Sequence, residues 1–356
     1  MLPAVPQQGA AGQRPVLVVG GGIAGGVLAL ALADAGLAVT LVDEGFPCAT
    51  ALSYGGVAWW AGAPGELGAL MRQAPQAWRA LEHRHGSIGW RPCGLRLQGG
   101  SVLDGLLRPP FAQVDAMAFR QALARMLPRA GITVLADRVL GPLERVAGGW
   151  RLRLEAQADL EVDQVVLAAG AGCLALWPAL RQRLRLSWAG VLALETMPAG
   201  RPPAGSRWLE QGRRGRLVQP RHWRRRGLEQ QAAELQQEAW IVDAGLAPWG
   251  EGVLVGQISL VRPPARQAEP PDPAWMEERL RQGLSQLERE LGHLPGPYRQ
   301  VPVAFCDDGI PLVGPIDAAP GLWAFTGFSG AFAQVPVLAP RLAQAMALAA
   351  SGQKPG

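Results

Sequence analysis

The sequence predicts an α/β protein in which a dinucleotide-binding domain is combined with a second lobe built on a mixed or antiparallel sheet. An apolar run at residues 15–19 stops at a glycine cluster, an apolar segment without proline follows, and a second apolar run at 39–42 ends in Asp43. This order is strand, turn, helix and strand, which is one βαβ unit. The chain has 356 residues, of which 49% are hydrophobic, and is long enough for two lobes rather than one.

Three glycines in the first turn have separate predicted roles. Gly20 permits the tight turn, Gly22 lets a pyrophosphate approach the backbone, and Gly25 lets the helix lie close to the strand. The helix N-terminus then offers N–H groups and the positive end of its dipole to phosphates. Asp43 lies 23 residues after Gly20, about where a carboxylate accepts the ribose hydroxyls of a dinucleotide. The alternative, a glycine-rich turn without a ligand, is disfavoured because both strands, the helix and the acid are present.

Composition excludes several classes of protein. No run of about 18 apolar residues is present, so no transmembrane helix is expected. Residues 1–13 lack periodicity, which predicts a disordered leader rather than a signal peptide. The four cysteines are far apart without C-x-x-C spacing, which argues against a disulfide framework or zinc site and favours a cytoplasmic protein. His83 and His85 point apart on a predicted helix, so no metal site is expected.

The net charge of +5 comes largely from arginines crowded into residues 201–226. One interpretation is a patch for nucleic acid or an anionic membrane surface. The other is a solvated, Pro/Gly/Arg-rich excursion, which we favour because no aromatic stacking platform accompanies the arginines.

Other elements follow from periodicity and capping. Asp115 caps a helix over residues 116–130, and apolar spacing predicts an amphipathic helix over 273–291. We also predict one helix over 66–85, one strand over 162–167, a short helix over 229–238 and a final helix over 335–349.

Separated blocks of the sequence resemble the FAD-dependent D-amino-acid oxidase, glycine oxidase and sarcosine oxidase superfamily. The blocks are residues 20–43, 50–57, 78–97, 114–123, 131–139, 165–172, 308–314 and 321–336. The resemblance implies a Rossmann-like FAD-binding domain that is discontinuous over 14–75, 112–185 and 300–350. It also implies a substrate domain with a mixed or antiparallel β-sheet over 76–111 and 186–299.

The resemblance also implies which residues bind the cofactor. They belong to the glycine turn, the end of the second strand, the loop after it, the adenine-facing position, and two turns later in the chain. The residues are Gly20, Gly22, Ile23, Ala24, Gly25, Asp43, Glu44, Thr50, Ala51, Ser53, Gly55, Gly56, Val139, Ala169, Gly170, Gly327, Phe328, Ser329, Gly330 and Ala331.

The substrate side departs from the family pattern. Family members that oxidise amino acids usually hold the substrate carboxylate with an arginine that precedes the Asp-Gly-x-Pro motif, but residues 301–307 contain none. Cys306 is several positions late for the family's covalent flavin link, so we expect non-covalent FAD. The catalytic residues are not identified by the resemblance, and the candidates are Tyr54, Arg91, Arg221 and Phe328.

The implied function is oxidation of a C–N bond in a small amine or amino acid by hydride transfer to flavin N5, with O2 or a carrier as electron acceptor. A second hypothesis is an FAD oxidase like one half of the bifunctional enzyme that modifies the tRNA wobble uridine. We rank it lower because the methyltransferase half has no counterpart here, so nucleic acid is not the favoured partner. A third hypothesis, favoured by the missing arginine, is a non-catalytic FAD-binding protein.

Overall fold

The elements of the fold come from a computed structural model that describes residues 15–45, 48–61, 65–98, 110–197, 206–220, 223–317 and 319–351. The predicted leader, residues 1–13, lies outside these ranges. In chain order the strands are β1 (Val16–Val19), β2 (Val39–Asp43), β3 (Gly56–Val57), β4 (Trp90–Cys93), β5 (Leu95–Gln98), β6 (Phe111–Val114), β7 (Thr133–Ala136), β8 (Val139–Val146), β9 (Gly149–Leu154), β10 (Leu160–Val162), β11 (Val165–Leu167), β12 (Leu184–Leu194), β13 (Leu217–Pro220), β14 (Ala239–Trp249), β15 (Gly252–Val261), β16 (Tyr298–Cys306), β17 (Leu312–Pro315) and β18 (Leu322–Thr326). The helices are α1 (Ile23–Asp34), α2 (Gly65–Met71), α3 (Ala74–His85), α4 (Ala116–Arg129), α5 (Cys173–Leu176), α6 (Arg207–Arg213), α7 (Trp223–Gln230), α8 (Pro273–Leu287) and α9 (Ala331–Ala350).

A mainly parallel sheet contains the predicted βαβ unit. Its strand order is β17-β18-β11-β1-β2-β7, and only β17 runs antiparallel to its neighbour. Successive residues of β1 pack on opposite faces: Val16 and Val18 join the core beneath α1, α4 and α9, whereas Leu17 and Val19 join the core beneath β9 and β10. Burial on both faces explains why β1 is apolar at every position.

The second large sheet has the order β16-β12-β15-β14-β13-β5 and is antiparallel except where β13 meets β5. Helix α8 packs on it through Met276, Leu280 and Leu284, which are fully buried at helical spacing. Two smaller antiparallel sheets, β10-β9-β8 and β3-β6-β4, complete the described strands. The predicted fold class, a Rossmann-like α/β domain combined with a mixed or antiparallel sheet, is confirmed.

Two predicted elements are divided in the structure. The helix over 66–85 is two helices, because Pro75 lies in the first turn of α3 and has no N–H with which to continue a helix from α2. The strand over 162–167 is two strands, since residues 163–164 carry the chain from the sheet of β9 to the sheet of β1.

The described part of the arginine-rich segment is ordered secondary structure rather than an excursion. It forms α6, β13 and α7, and β13 is inserted between β5 and β14. Helix α7 ends at Gln230, whereas the prediction placed a helix over 229–238. Arginine is a good helix former, and Arg225 pairs with Glu229 one turn later, which moves the helix towards the N-terminus.

The ends of two further helices differ from the prediction. Helix α9 begins at Ala331 rather than at residue 335, because Gly330 already serves as its N-cap. Helix α8 ends at Leu287, and a 3-10 turn at Arg289–His293 replaces its predicted last turn. The helix capped by Asp115 is confirmed: Oδ1 of Asp115 accepts from the backbone N–H groups of Met117 and Ala118.

The domain boundaries stay a prediction. Strand β16 crosses the proposed boundary at residue 300, because it pairs with β12 as far as Cys306. Among the described helices, none combines the length and apolar character that crossing a bilayer requires.

Candidate functional site

A cavity of about 1220 Å³ is lined by residues of both large sheets. Its walls include the turn after β1, the loop 48–56, the start of β8, the turn between β18 and α9, and residues of β12, β14, β15 and β16. All of the predicted cofactor residues line this cavity except Gly25, Ala51 and Gly55. The fold therefore brings together segments that are far apart in the sequence.

The geometry of the turn after β1 explains why two of its residues, Gly20 and Gly25, are glycine. Gly20 has φ +103°, and a Cβ there would lie 2.5 Å from Cα of Ala169. A Cβ at Gly25 would collide with the carbonyl oxygen of Gly20, so only glycine lets α1 lie this close to the turn. Gly25 thus shapes the cavity without lining it.

Two side chains stabilise the start of α1. The backbone N–H of Gly21 donates to Oδ1 of Asp43 at 2.9 Å, and that of Ile23 donates to Oγ1 of Thr50 at 2.9 Å. Gly22, the N-cap residue, has no side chain for this task. Thr50 therefore caps α1 from a loop that is distant in sequence.

The turn between β18 and α9 forms another wall. Gly327 has φ +80°, and a Cβ there would lie 2.5 Å from Sγ of Cys306. Gly330 is the N-cap of α9, and its backbone N–H donates to Oε1 of Gln334 at 3.3 Å. Phe328 packs on Phe325, with 4.9 Å between the ring centroids. The N-terminus of a long helix thus borders the cavity here, as α1 does on the other wall.

Cys306 lies at the end of β16 and lines the cavity. The thiol is buried, and this burial raises the pKa of Cys306 to about 11. The thiol is therefore neutral at ordinary pH, which is a poor nucleophile.

A polar group of side chains lies on the second-sheet side of the cavity. The Tyr54 hydroxyl oxygen is buried, with backbone groups of Gly245 and Gly256 beside it. Burial raises the pKa of Tyr54 well above its ordinary value, and the charge of Asp243 raises it further, so this side chain is a neutral phenol.

Nε of Arg225 lies 2.8 Å from Oε1 of Glu229. Burial by itself lowers the pKa of Arg225, but Glu229 and Asp243 raise it above its ordinary value.

Arg91 does not line the cavity. Its Nη1 donates to the carbonyl oxygen of Gly215 at 2.8 Å, and its Nη2 donates to Oε1 of Gln113 at 2.5 Å. The structure thus corrects the interpretation of Arg91 as a group that faces a substrate. Arg221, the other arginine candidate, lies outside the described residues, whereas Tyr54 and Phe328 both line the cavity.

Several residues that line the cavity were not predicted from the sequence to belong to a site, namely Asp137, Gln219, Arg225, Arg226, Glu229, Asp243 and Gln257. The sequence could have indicated Asp243, because it is the single acid in the otherwise apolar strand β14. Glutamines and arginines on strands and short helices carry no such signal, since they are equally typical of solvated surfaces.

Comparison with known proteins identifies relatives of this chain. A curated relative, the tRNA 5-methylaminomethyl-2-thiouridine biosynthesis bifunctional protein of Caulobacter sp., is 28% identical over 93% of this chain and 54% of its own length. The chain therefore spans about half the length of the curated relative that it matches.

Solved structures show the same fold at low identity. Glycine oxidase from Geobacillus kaustophilus is similar with a TM-score of 0.65 and 17% identity, covering 96% of this chain and 95% of its own. Iminodiacetate oxidase from Chelativorans sp. is similar with a TM-score of 0.62 and 17% identity, covering 95% and 96% respectively.

A family match covers most of the chain. Residues 15–101 and 96–345 match the protein family described as FAD dependent oxidoreductase (DAO). The match includes the glycine turn, the loop after β2 and the turn before α9, which all meet at the cavity. The chain therefore belongs to the DAO family of FAD-dependent oxidoreductases.

Proposed function

We propose that this protein holds FAD non-covalently in the cavity and oxidises a C–N bond of a small amine or amino acid. The observation that carries the proposal is the construction of the cavity. One side is made by a glycine turn and by the N-termini of α1 and α9, and the other side is made by polar and apolar side chains of a second sheet. A cofactor and a substrate can thus meet in one cavity.

The residues on the helix side fit FAD. A Cβ at Gly22 would come within 2.9 Å of Oγ1 of Thr50, so glycine keeps this part of the wall open for a pyrophosphate. The N-terminus of α1 favours a negatively charged group, and Asp43 would accept the ribose hydroxyls. Val139 lines the cavity at the start of β8, where the adenine would lie. The N–H groups at the start of α9 would face the flavin ring, which is negatively charged when reduced.

When bound, the flavin supplies an acceptor for a hydride from the carbon that carries the amine nitrogen. The chain itself orients the substrate and excludes water from it. Val191, Val301 and Val303 present apolar surface to the cavity from β12 and β16. Alignment of this kind is what hydride transfer chiefly requires of the protein.

The charges on the second-sheet side restrict the substrate. The residues of β16 that line the cavity include no cation, and the described lining cations are Arg138, Arg225 and Arg226 from other elements. A carboxylate buried beside β16 would cost several kcal/mol to desolvate without a cationic partner. We therefore infer poor activity on glycine and simple D-amino acids. Secondary or larger amines, and amines with a remote carboxylate, fit better.

Absorbance spectroscopy tests the proposal. The purified protein should be yellow, and acid precipitation should release FAD into the supernatant. Flavin retained in the pellet would refute the non-covalent attachment, and a colourless protein that FAD does not reconstitute would refute the cofactor site.

The substrate class is tested by anaerobic mixing with glycine, sarcosine, D-amino acids, pyrrolidine and piperidine. A secondary or cyclic amine should bleach the flavin, whereas rapid bleaching by submillimolar glycine or D-alanine would contradict the inference from β16. Admission of O2 or of an artificial electron carrier to the bleached protein then separates an oxidase from a dehydrogenase. If photoreduction succeeds and every amine fails, the small-amine function is refuted, and an oxidase of a larger substrate or a non-catalytic FAD-binding protein remains.

A second candidate function is oxidation of a modified nucleoside in tRNA. Support comes from the curated relative, whose name assigns it to tRNA thiouridine biosynthesis, and from α7, whose residues Arg225 and Arg226 line the cavity. Salt-dependent retention of the protein on tRNA, together with flavin bleaching by tRNA carrying the substituted wobble uridine, would favour this function. Absence of both would leave the small-amine function.

A further inference from the structure

The face of the second sheet that lines the cavity is apolar on one half and polar on the other. On β12 and β16 its lining side chains are apolar and include Val191, Val301 and Val303. On β13, β14 and β15 the polar lining side chains are those of Gln219, Asp243 and Gln257. A substrate that lies over this face therefore meets hydrogen-bonding side chains on the half formed by β13, β14 and β15.

The alternation of the strands explains why these polar side chains face the cavity. Val218 of β13, Val242 of β14 and Ile258 of β15 all pack in the core that this sheet forms with α8. Neighbouring residues of a strand point to opposite faces of the sheet, so a residue next to each of these three points to the cavity. Those residues are Gln219, Asp243 and Gln257.

Gln219 differs from the other two polar residues because its side chain has no partner. It is only 7% exposed, and no described residue forms a hydrogen bond with its amide. By contrast, Asp243 interacts with the charge of Arg225, and Nε2 of Gln257 donates to Oγ of Ser259 at 2.9 Å. Buried amides normally find partners for both their donor and their acceptor. The amide of Gln219 therefore offers an unused donor and an unused acceptor at the cavity wall.

The amide of Gln219 lies where the second sheet meets β3. A Cβ at Gly56 would lie 2.6 Å from Nε2 of Gln219 and 3.0 Å from Cζ of Phe111. Glycine at this position therefore lets the backbone of β3 approach the amide closely. The amide is thus held between β13 and β3, at one edge of the cavity.

The charges on this half of the wall favour a neutral group beside Gln219. The lining acids Glu229 and Asp243 accompany the lining cations Arg225 and Arg226, and Arg225 is already paired with Glu229 at 2.8 Å. The formal charges therefore cancel. A carboxamide both donates and accepts, as the amide of Gln219 does, whereas a carboxylate only accepts. A carboxamide thus matches both unused groups of Gln219.

We propose that Gln219 is a specificity-determining residue whose side-chain amide binds a –CO–NH– group of the substrate through one donated and one accepted hydrogen bond. This inference rests on the proposed function for the amine that is oxidised, but binding of the –CO–NH– group itself requires no turnover. A small amide and the edge of a pyrimidine base both carry this group, so either a carboxamide-bearing amine or a nucleoside would supply it.

Gln219→Met is the principal variant, because methionine has a similar length and removes both the donor and the acceptor. Gln219→Glu keeps an acceptor and loses the donor. Gln267→Met is the matched control. Gln267 is also buried, but its Oε1 accepts from the backbone N–H of Leu186 at 2.9 Å, and it does not line the cavity.

Urea unfolding distinguishes a glutamine that serves binding from one that serves the fold. Gln219→Met should leave the unfolding midpoint unchanged or raise it, because no hydrogen bond within the chain is lost. Gln267→Met should lower the midpoint, because the buried N–H of Leu186 loses its acceptor. A fall in Gln219→Met as large as that in Gln267→Met would overturn the proposal, since it would mean that the amide of Gln219 already has a partner.

Calorimetry on the FAD-loaded protein tests the binding of the –CO–NH– group without turnover. Cyclohexanecarboxamide should bind more tightly than cyclohexanecarboxylate, and its affinity should fall by about tenfold in Gln219→Met and in Gln219→Glu but stay unchanged in Gln267→Met. Uridine distinguishes the two sources of the group. If uridine binds with the same dependence on Gln219, the source is a nucleoside, and if it does not, the source is a smaller amide. If neither ligand depends on Gln219, the proposal is overturned.

Turnover separates this inference from the proposed function. In the unmodified protein, kcat/KM for piperidine-4-carboxamide should exceed that for piperidine by about tenfold, and Gln219→Met should abolish this advantage while piperidine is unaffected. If no amine bleaches the flavin, the small-amine function fails, whereas calorimetry still decides the role of Gln219. If both amines bleach the flavin equally well in every variant, the role of Gln219 is refuted and the function stands.

Discussion

The two sides of the cavity are built in different ways. On the helix side, Gly20, Gly22, Gly25 and Asp43 lie within one βαβ unit, and each does its work through backbone geometry or a single hydrogen bond. On the second-sheet side, Tyr54, Arg225 and Asp243 come from a loop, a short helix and a long strand that meet only after folding. A local motif dictates the βαβ part of the helix side, whereas tertiary contacts add Thr50 and the turn before α9 to that side and assemble the whole second-sheet side.

The two sides should therefore respond differently to substitution. Substitutions on the helix side should alter FAD affinity, and substitutions on the second-sheet side should alter KM or kcat with FAD retained.

Gly22→Val should have the largest effect. A branched side chain would displace Thr50 and fill the space left for a pyrophosphate, so FAD affinity should fall by about a hundredfold or more. Flavin absorbance per protein and fluorescence titration measure this loss. Gly36→Ala is the control: Gly36 has φ +83° with nothing within 4 Å of its Cβ position, so this variant should lose about 1–2 kcal/mol of stability but keep FAD.

Asp43→Ala should weaken FAD binding by about ten- to hundredfold, because hydrogen bonds to a charged group contribute about 1.5–3 kcal/mol. Glu161→Ala is the matched control. Glu161 forms an exposed ion pair with Arg151 away from the cavity, and such pairs contribute little, so the FAD affinity of this variant should change by about twofold or less. Equal affinities for Asp43→Ala and the unmodified protein would show that the turn binds no ribose.

Arg225→Met should raise KM by about tenfold for an amine with a remote carboxylate and leave KM for an uncharged cyclic amine unchanged, since the guanidinium is a cation on the second-sheet side. Arg214→Met tests specificity, because Arg214 forms the same type of i,i+4 pair, with Glu210, in an exposed position. Loss of FAD from Arg225→Met would break the division between the two sides.

Asp137→Asn should have the smallest effect, and only on the pH dependence of stability. Burial raises the pKa of Asp137, but N–H groups of Arg138 and Ala156 outweigh this and lower the pKa below the ordinary value. A lowered pKa means that the charged carboxylate stabilises the fold above the unfolded pKa of about 3.9, and that this stabilisation is lost as the pH falls through the folded pKa. Urea midpoints should therefore differ between the two proteins at neutral pH and converge under acid conditions.

Much of the fold was predictable because its signals are local. The βαβ unit, the cap at Asp115 and the amphipathic helix α8 each follow from a few neighbouring residues. The predictions were wrong where the secondary structure of a segment depends on a distant part of the chain. Residues 163–164 carry the chain from one sheet to another, and β13 is a strand because it pairs with β5 and β14.

The turn that would hold a dinucleotide and the resemblance to one family follow from neighbouring residues alone, because glycine spacing and an acid after β2 constrain the backbone wherever they occur. The second-sheet side depends on tertiary contacts. In the folded chain Arg91 donates to Gln113 and Gly215 outside the cavity lining, whereas Arg225 and Asp243 line the cavity. The physical reason is that the position of a long polar side chain depends on which buried donors and acceptors it must satisfy, and those partners are distant in sequence.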